Sequence, residues 1–330
     1  MNHLLHRLCV APMMDWTDRH CRYFLRLIAP HARLYTEMVT TGAMMCGNVP
    51  RHLDFDPAEH PIALQLGGSD PHALAHCARL GEAWGYDEIN LNVGCPSERV
   101  QTGSFGACLM AEPALVADCV AAMRDAVDLP VTVKHRTGID AVEEYAFVRD
   151  FVGSVAAAGA GTFIVHARNA ILKGLSPKEN REIPPLKYEF VHRLKRDFPE
   201  LIIVINGGIA TPANIERELA QVDGVMLGRT AYHHPYVLAE ADVLCFGADT
   251  RSRSRAEIVA ALLPYVDAQL ASGVHLRAIT RHVLGLYHGS PGARTWRRML
   301  SDAALLKSGG SDLLLAALRE VEPESLADAA

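Results

Sequence analysis

Five apolar runs of this chain carry a strongly polar residue at or next to their C-terminal end. These residues are Gln65, Asn92, Lys134, His166 and Asn206. Because side chains alternate along a strand, each of them faces the side opposite to its apolar neighbours. One such residue alone is typical of a core polar group or a structural histidine. Five together, including a lysine, would be costly to bury without a ligand, so they predict a site for a polar, largely planar molecule.

Glycine turns follow the last two apolar runs of the chain. Asn206-Gly207-Gly208 follows the run at 201–206, and Gly228-Arg229 closes the run at 224–228. Glycines let backbone N–H groups approach an anion closely, and an arginine can add a charge-assisted hydrogen bond. One Gly-Gly pair is an ordinary turn signal, whereas two such turns favour a phosphate group. A phosphate site beside a site for a planar ligand predicts FMN.

Cys95 is the candidate reactive residue. It stands between Gly94 and Pro96, which together give the backbone around the thiol an unusual conformation. A thiol next to a flavin can protonate a carbon atom, which is general acid catalysis. The other seven of the eight cysteines form no CxxC pair, so we interpret them as buried, reduced side chains and expect neither disulfides nor a metal site. Reduced cysteines favour a cytoplasmic location.

Eight short runs rich in aliphatic and β-branched residues are separated by segments with a helical period. They lie at 7–12, 34–39, 61–66, 87–93, 130–135, 162–167, 201–206 and 224–228. Eight strand–helix units of this size predict a TIM (β/α)8 barrel, whose active site lies where the C-terminal ends of the strands meet. A doubly wound sheet is the alternative, but it rarely needs eight evenly spaced strands. In a barrel the polar residues and both glycine turns converge on one face.

After residue 247 the strands stop. Helical patterns follow at 256–273, 276–289, 294–309 and 311–322, behind a polar linker at 249–255. We therefore expect an FMN-binding barrel domain over 1–247 and a small all-helical domain over 248–330. Residues 251–310 include nine basic and three acidic side chains, a charge of +6 in a chain of net charge −6. A basic module on an acidic body is typical of nucleic-acid binding, and a solvated helical surface is the alternative.

The remaining bulk features are those of a soluble enzyme. Of the 330 residues, 49% are hydrophobic and 21% are charged. No apolar run approaches the roughly 20 residues of a membrane span. The first residues lack the order of regions found in a signal peptide. We therefore expect no association with a membrane.

The motifs described above resemble the tRNA-dihydrouridine synthase family, and in particular its A-type subgroup. The block LNVGCP at 91–96 is the most specific of them, and the stretches at 16–26 and 174–186 resemble the A-type subgroup. The similarity covers the barrel and continues into the helical segment. Further matching stretches lie at 11–13, 64–68, 133–134, 166–168, 206–208, 228–229 and 291–294.

The resemblance implies an enzyme that reduces uridine to dihydrouridine in the D-loop of tRNA, at positions 20 and 20a. It implies FMN as cofactor, NADPH as reductant and Cys95 as the proton donor. We expect tRNA as the partner of a monomer that binds no metal. The FMN-binding residues implied are Pro12, Met13, Met14, Gln65, Lys134, His166, Asn206, Gly207, Gly208, Gly228 and Arg229.

Both expected domains contribute candidate tRNA-binding residues. By strand alternation Asn92 and Arg136 point into the barrel, where we expect them to contact the uracil. His135, where the family usually has a small or apolar residue, points away from the flavin, so we expect only a tuning effect. The loop after the run at 162–167 is basic. The candidates from that loop are Lys178 and Arg181, and those from one helix are Arg294, Arg297 and Arg298. Alternatively, the arginines of that helix could pair with carboxylates of the barrel.

Three other functions use parts of the same pattern. An FMN-dependent reductase or dehydrogenase of a small pyrimidine would need no basic module. A flavin-free aldolase would form a Schiff base on Lys134 and would be colourless. A non-catalytic RNA-binding protein would leave Cys95 and the five polar residues unexplained.

Overall fold

Strands and helices alternate through most of the chain. The structure, a computed structural model, describes residues 3–247 and 251–323. The strands are β1 (Leu8–Val10), β2 (Leu34–Tyr35), β3 (Val39–Thr40), β4 (Ile62–Gly67), β5 (Glu88–Val93), β6 (Val131–Arg136), β7 (Thr162–His166), β8 (Ile202–Asn206) and β9 (Gly224–Leu227).

The α-helices are α1 (Arg19–Ile28), α2 (Thr41–Cys46), α3 (Val49–Leu53), α4 (Pro71–Ala83), α5 (Glu98–Thr102), α6 (Pro113–Ala126), α7 (Tyr145–Ala157), α8 (Tyr188–Asp197), α9 (Pro212–Leu219), α10 (Arg229–His233), α11 (Val237–Phe246), α12 (Arg255–Ala271), α13 (Leu276–Val283), α14 (Ala293–Ser301), α15 (Ala303–Ser308) and α16 (Asp312–Val321). Short 3-10 helices lie at His3–His6, Pro57–Glu59, Gly106–Ala111 and Glu179–Arg181.

The strands form one parallel sheet that closes on itself. β2 and β3 both pair with β4, so together they occupy one strand position and the barrel has eight strand positions. β1 pairs with β9, and a bridge between Cys9 and Arg33 joins β1 to the strand position that contains β2. This closed parallel arrangement, with helices between the strands, confirms the predicted TIM barrel.

Side-chain alternation divides each strand as the sequence predicts. A buried apolar cluster formed by β1, β2, β4, β7, β8 and β9 includes Ile164, Val204 and Met226. His135 has the opposite parity, and its ring packs against Phe151 and Phe163 with centroids 5.1 and 5.8 Å apart. The expected orientation of His135 away from the barrel interior is therefore confirmed.

The chain divides into two compact units with boundaries other than those expected. The first comprises residues 1–14 and 32–228, and the second comprises residues 15–31 and 229–330. α1 belongs to the second unit because it packs against later helices: the rings of Tyr23 and Tyr265 stack with centroids 3.8 Å apart, and His20 Nδ1 lies 2.7 Å from the Tyr265 hydroxyl. The expected boundary at 247/248 adjoins residues 248–250, which lie outside the described residues, and the functional assignment of the two ranges stays a prediction.

The helical patterns near the C-terminus correspond to α12, α13, α14, α15 and α16. The single stretch expected at 294–309 is two helices, because Asp302 interrupts it. The Asp302 carboxylate accepts hydrogen bonds from the backbone N–H groups of Ala304 and Leu305, at 2.9 and 3.0 Å, and so caps the start of α15. None of the helices in the described ranges is both long enough and apolar enough to cross a membrane.

Candidate active site

Polar side chains from neighbouring strands meet at the C-terminal ends of β5 to β8. In the strand register Asn92 lies beside Lys134, Arg136 beside His166, and His166 beside Asn206. Lys134 Nζ lies 3.4 Å from Asn206 Oδ1, and the Asn206 amide donates to a backbone carbonyl of β9 at 2.7 Å. The structure thus brings together polar residues that the sequence pattern assigned to one face.

Gln65 and Asn92 are bonded to each other and to the loop that carries Cys95. Asn92 Nδ2 donates to Gln65 Oε1 at 2.8 Å. Asn92 Oδ1 accepts from the backbone N–H groups of Gly94, at 3.1 Å, and Cys95, at 3.0 Å. The sequence predicts a uracil contact for Asn92, and the structure gives its amide a second role, because it holds the backbone on which the thiol is mounted.

Cys95 has a half-buried side chain in the loop between β5 and α5. Its Sγ lies 3.5 Å from Ser97 Oγ, and its carbonyl accepts a hydrogen bond from Ala107 N at 2.9 Å. Gly106 has a φ of +79°, and a Cβ there would lie 2.6 Å from the Cys95 carbonyl oxygen. Only glycine therefore fits against this loop. The backbone of Cys95 is held on both sides, at its N–H and at its carbonyl.

Lys134, Arg136 and His166 form a cluster of basic groups at the mouth of the barrel. Burial, followed by the charge of Arg136, lowers the pKa of Lys134 to about 7, although Cys95 acts in the opposite direction. Burial lowers the pKa of Arg136 to about 10, and burial together with both neighbouring cations brings the pKa of His166 well below its usual value. Among the described residues, no carboxylate offsets these effects. An anionic ligand would raise these lowered pKa values, because it would stabilise positive charges that are otherwise poorly solvated.

Arg136 connects the Cys95 loop to the basic loop after β7. Its Nε donates to the carbonyl of Gly94 at 3.1 Å, and its Nη1 donates to the carbonyl of Asn180 at 3.0 Å. The buried Asn180 side chain in turn donates to and accepts from the backbone of residue 171, which holds the basic loop in shape. In that loop Lys178 is exposed and Arg181 is half-buried.

The glycine turn after β8 needs glycine at both positions. Gly207 and Gly208 have φ values of +111° and +71°, where a side chain is strained. A Cβ on Gly207 would also lie 2.8 Å from His166 Cδ2, and the Gly207 carbonyl accepts a hydrogen bond from the Tyr188 hydroxyl at 2.6 Å. The turn is therefore a rigid stretch of bare backbone beside the basic cluster.

The glycine turn after β9 adjoins the first, because β8 and β9 are paired. A Cβ on Gly228 would meet no atom closer than the Cβ of Ala11, at 3.9 Å. The α-carbon of Gly228 thus faces open space, which allows a ligand to approach the backbone. Arg229 follows directly as the first residue of α10, which belongs to the second compact unit.

The segment after β1 supplies the three remaining predicted cofactor residues. Met13 packs against the apolar cluster of the barrel interior. Pro12 is half-buried, and Met14 is 56% exposed. An exposed methionine next to a barrel mouth is suited to covering an apolar face of a ligand.

Comparison with known proteins finds similarity over nearly the whole chain. The family model described as dihydrouridine synthase (Dus) matches residues 9–322. A tRNA-dihydrouridine(20/20a) synthase of Pseudomonas putida is 61% identical over 295 residues, which cover 89% of this chain and 88% of that protein. Proteins of the same name from Synechocystis and Salmonella typhimurium are 57% and 59% identical, over 96% and 91% of this chain and 94% and 90% of their own lengths. This chain belongs to the dihydrouridine synthase family.

The second unit of the chain carries the predicted arginines on one face of α14. Arg294, Arg297 and Arg298 are exposed, whereas Trp296 and Leu300 of the same helix are buried. The indole of Trp296 donates to a backbone carbonyl of α13 at 2.9 Å, which fixes the rotation of α14 within the unit. Within the described residues of this unit, none of the three arginines pairs with a carboxylate.

A histidine-rich cavity of about 380 Å³ lies beside Arg297 in the second unit. The rings of His234 and His288 stack in it, with centroids 3.4 Å apart. No pattern in the sequence indicates this cavity, because its residues come from three separate stretches that only the fold brings together. The residues that line it are Tyr232, His233, His234, Arg281, Leu284, Gly285, His288 and Arg297.

We expect Lys134→Met to raise the melting temperature of the ligand-free protein, and to do so most at low pH. The pKa of Lys134 is lowered from 10.5 to about 7, so folding is penalised while the lysine is charged in both states, and this penalty disappears as the pH rises from 7 to 10.5. The stabilisation should therefore be large near pH 6 and small near pH 10. Thermal unfolding at both pH values measures it.

Lys173→Met is the control for this measurement, because Lys173 is exposed in the same unit. It should change the melting temperature equally at both pH values. A pH-independent effect of Lys134→Met would contradict the assignment of Lys134 as a poorly solvated cation.

Proposed function

We propose that this protein reduces the C5–C6 double bond of uridine in tRNA, with FMN as cofactor and NADPH as reductant. The observation that carries the proposal is a single thiol, Cys95, held by its backbone next to the basic groups of Lys134 and Arg136 in a dihydrouridine synthase. The names of the relatives favour the uridines at positions 20 and 20a of the D-loop.

The residues at the mouth fit FMN by their chemistry. The bare backbone at Gly207, Gly208 and Gly228 suits a phosphate group, and the adjoining basic cluster suits its charge. The amides of Gln65 and Asn206 offer donors and acceptors for the polar edge of a flavin ring. The remaining residues proposed to hold FMN are Pro12, Met13, Met14, Lys134, His166 and Arg229.

The side chains of the mouth then have separate roles. When bound, FMN would supply the hydride that reduces C6 of the uracil ring, with NADPH as the source of that hydride. Cys95 donates its thiol proton to C5 and regains a proton from solvent, which its half-buried side chain can reach. Lys134 supplies positive charge, because an anion beside it raises its lowered pKa and keeps the ammonium protonated.

Asn92 and Arg136 are the residues proposed to border the uracil. An asparagine amide has two N–H donors, and Asn92 gives only one of them to Gln65. A guanidinium has five donors, and Arg136 gives three hydrogen bonds to backbone carbonyls. Both side chains therefore keep donors for the carbonyl oxygens of a uracil ring.

The tRNA backbone is proposed to contact basic side chains in both units, of which Arg181 is half-buried and the others are exposed. Lys178 and Arg181 lie in the loop between β7 and α8, and Arg294, Arg297 and Arg298 lie on α14. Because the chain as a whole has a charge of −6, attraction of an acidic polymer must come from such local groups. A cytoplasmic location follows from this partner.

A Schiff-base aldolase is the strongest alternative, because a lysine with a pKa of about 7 is suited to that chemistry. It would not use the Cys95 loop or the exposed arginines. A reductase of a small pyrimidine would use the mouth but would not need the arginines of α14. A non-catalytic RNA-binding protein would need the arginines but not the mouth.

We expect the purified protein to be yellow and to release FMN when it is denatured. Gly228→Ala should lower the affinity for FMN at least about tenfold, since its new methyl group would occupy the space left for the ligand. The melting temperature of the ligand-free variant should stay that of the parent, because the methyl group touches only Ala11, at 3.9 Å. Visible absorption and titration with FMN measure both properties.

Gly153→Ala is the matched control, because Gly153 lies within α7 and a Cβ there would meet only ring atoms of Phe198, at 3.6 and 3.8 Å. It should bind FMN like the parent. A colourless protein that takes up no added FMN would rule out the proposed function and leave the aldolase as the better reading.

We expect Cys95→Ala to lower the rate of uridine reduction by about 10²–10⁴-fold, the usual contribution of a general acid. FMN content and NADPH oxidation should be retained, because neither requires the thiol. Cys108→Ala is the control, since Cys108 is a half-buried cysteine whose thiol donates only to the Phe105 carbonyl, at 3.2 Å. Dihydrouridine formed in unmodified tRNA measures the rate, and a parent-like rate in Cys95→Ala would assign the proton to another group.

We expect the double variant Arg294→Glu, Arg298→Glu to lose tRNA affinity while FMN content and melting temperature stay nearly unchanged. Removing phosphate contacts weakens binding and reduces its dependence on salt. Filter binding at several salt concentrations measures both. The double variant Arg79→Glu, Arg196→Glu makes the same change of charge on exposed residues of α4 and α8 and should bind tRNA like the parent. If the α14 variant instead loses stability without a binding defect, these arginines are structural.

A further inference from the structure

A chain of hydrogen bonds crosses the barrel interior from its N-terminal end upwards. Glu88, the first residue of β5, is fully buried, and its Oε1 accepts from Thr132 Oγ1 at 2.6 Å. Thr132 Oγ1 in turn accepts from Asn90 Nδ2 at 2.7 Å. Asn90 Oδ1 accepts from Gln65 Nε2, also at 2.7 Å. Through Gln65 the chain reaches Asn92 and the backbone of Cys95, and we call this series of residues the polar column.

The lower end of the polar column is an ionised carboxylate. Glu88 Oε2 lies 2.6 Å from His6 Nε2 and 3.2 Å from Arg33 Nη1, and the Tyr35 hydroxyl donates to Oε1 at 3.0 Å. Burial opposes ionisation, but the charges of His6 and Arg33 outweigh it and lower the pKa of Glu88 to about 2. An ionised carboxylate can only accept hydrogen bonds.

This carboxylate fixes the direction of every bond above it. Thr132 has one hydroxyl proton and gives it to Glu88, so its oxygen can only accept from Asn90. Asn90 must then turn its NH2 group to Thr132 and its carbonyl to Gln65. Gln65 must likewise turn its carbonyl to Asn92. If one amide were reversed, two donors or two acceptors would face each other in a buried site.

The upper end of the polar column imposes the same direction independently. The backbone N–H groups of Gly94 and Cys95 can only donate, so Asn92 must turn its carbonyl to them. Its NH2 group then meets the carbonyl of Gln65. Two fixed ends therefore agree on one orientation for all three amides, and no alternative orientation satisfies both.

We propose that Glu88, Thr132 and Asn90 are positioning residues, which set the amide orientation of Gln65 and Asn92 and hold the backbone of Cys95 through them. Gln65 and Asn92 then present a fixed pattern of donors and acceptors to the ligand. What the positioned groups do rests on the proposed function, whereas the hold on the Cys95 loop does not.

Removal of the Thr132 hydroxyl tests the column without emptying the space. In Thr132→Val the Asn90 amide loses its acceptor and the orientation of the amides above it is no longer imposed. We expect iodoacetamide to alkylate Cys95 about fivefold faster, the factor expected for loss of one buried hydrogen bond. Mass spectrometry of the Cys95 peptide measures the rate in the purified protein, with the exposed Cys46 as internal reference. With tRNA, kcat should fall while KM stays that of the parent.

Two controls separate positioning from loss of stability. Thr132→Ser keeps the hydroxyl and should restore both the alkylation rate and kcat. Thr162→Val makes the same change at another buried threonine of the barrel, outside the polar column, and should leave both at the parent values. If Thr162→Val reproduces the effects of Thr132→Val, the effects report stability and the proposal is wrong.

Asn90→Ala breaks the polar column at a second point and keeps the test decisive if Thr132→Val folds poorly. Because both substitutions interrupt one series, the double variant should alkylate Cys95 no faster than Asn90→Ala alone. Additive effects, or parent-like alkylation in either single variant, would overturn the proposal. If alkylation responds as expected but the parent reduces no uridine, the positioning stands and the proposed function fails.

Discussion

The hydrogen bonds of the Glu88 carboxylate determine how the buried amide side chains inside this barrel are oriented. The carboxylate is fully buried, hydrogen-bonded to His6, Tyr35 and Thr132, and ion-paired with Arg33. A barrel filled with apolar side chains would be at least as stable, since replacing buried ion pairs by apolar groups is often neutral or stabilising. The polar column is better explained by what it specifies. It gives each amide below the mouth a single orientation, which an apolar interior could not do.

The two ends of the barrel differ in whether their buried charged side chains have partners of opposite charge. At the N-terminal end His6 and Arg33 outweigh the effect of burial and hold the pKa of Glu88 at about 2, so its carboxylate has its partners within the protein. At the C-terminal end burial and the charge of Arg136 lower the pKa of Lys134 to about 7, and no carboxylate of the described residues opposes this. The buried charge at the N-terminal end is therefore paired within the protein, whereas the positive charges at the C-terminal end are suited to pair with an anion. The bare backbone of Gly207 and Gly208 lies at the C-terminal end.

How much the sequence could predict depends on the range of the interactions involved. Alternation and spacing are local properties of the sequence. The eight strand positions of the barrel, the outward direction of His135 and the glycine turns could therefore be predicted from the sequence. The division of the stretch at 294–309 was missed because it depends on the side chain of Asp302 rather than on periodicity. α1 joins the second unit through the stacking of Tyr23 on Tyr265, a pairing across 242 positions of sequence that no local pattern indicates. The site was predicted as a set of residue types, whereas its hydrogen bonds, such as those from Asn92 to the Cys95 loop, depend on the register between strands.

The positive charges of this protein are of two physical kinds, which suit two kinds of anion. Lys134 and Arg136 are poorly solvated, so they interact strongly with a small anion that replaces water and only weakly with dissolved salt. Arg294, Arg297 and Arg298 are exposed on the surface of α14, so each contributes little by itself and all are screened by salt. A long polyanion can engage many such weak contacts and still be released, because each releases counterions on binding and takes them up again on dissociation. Under the proposed function FMN would be retained through many turnovers and a tRNA would leave after each one, and these two demands call for two kinds of site in one chain.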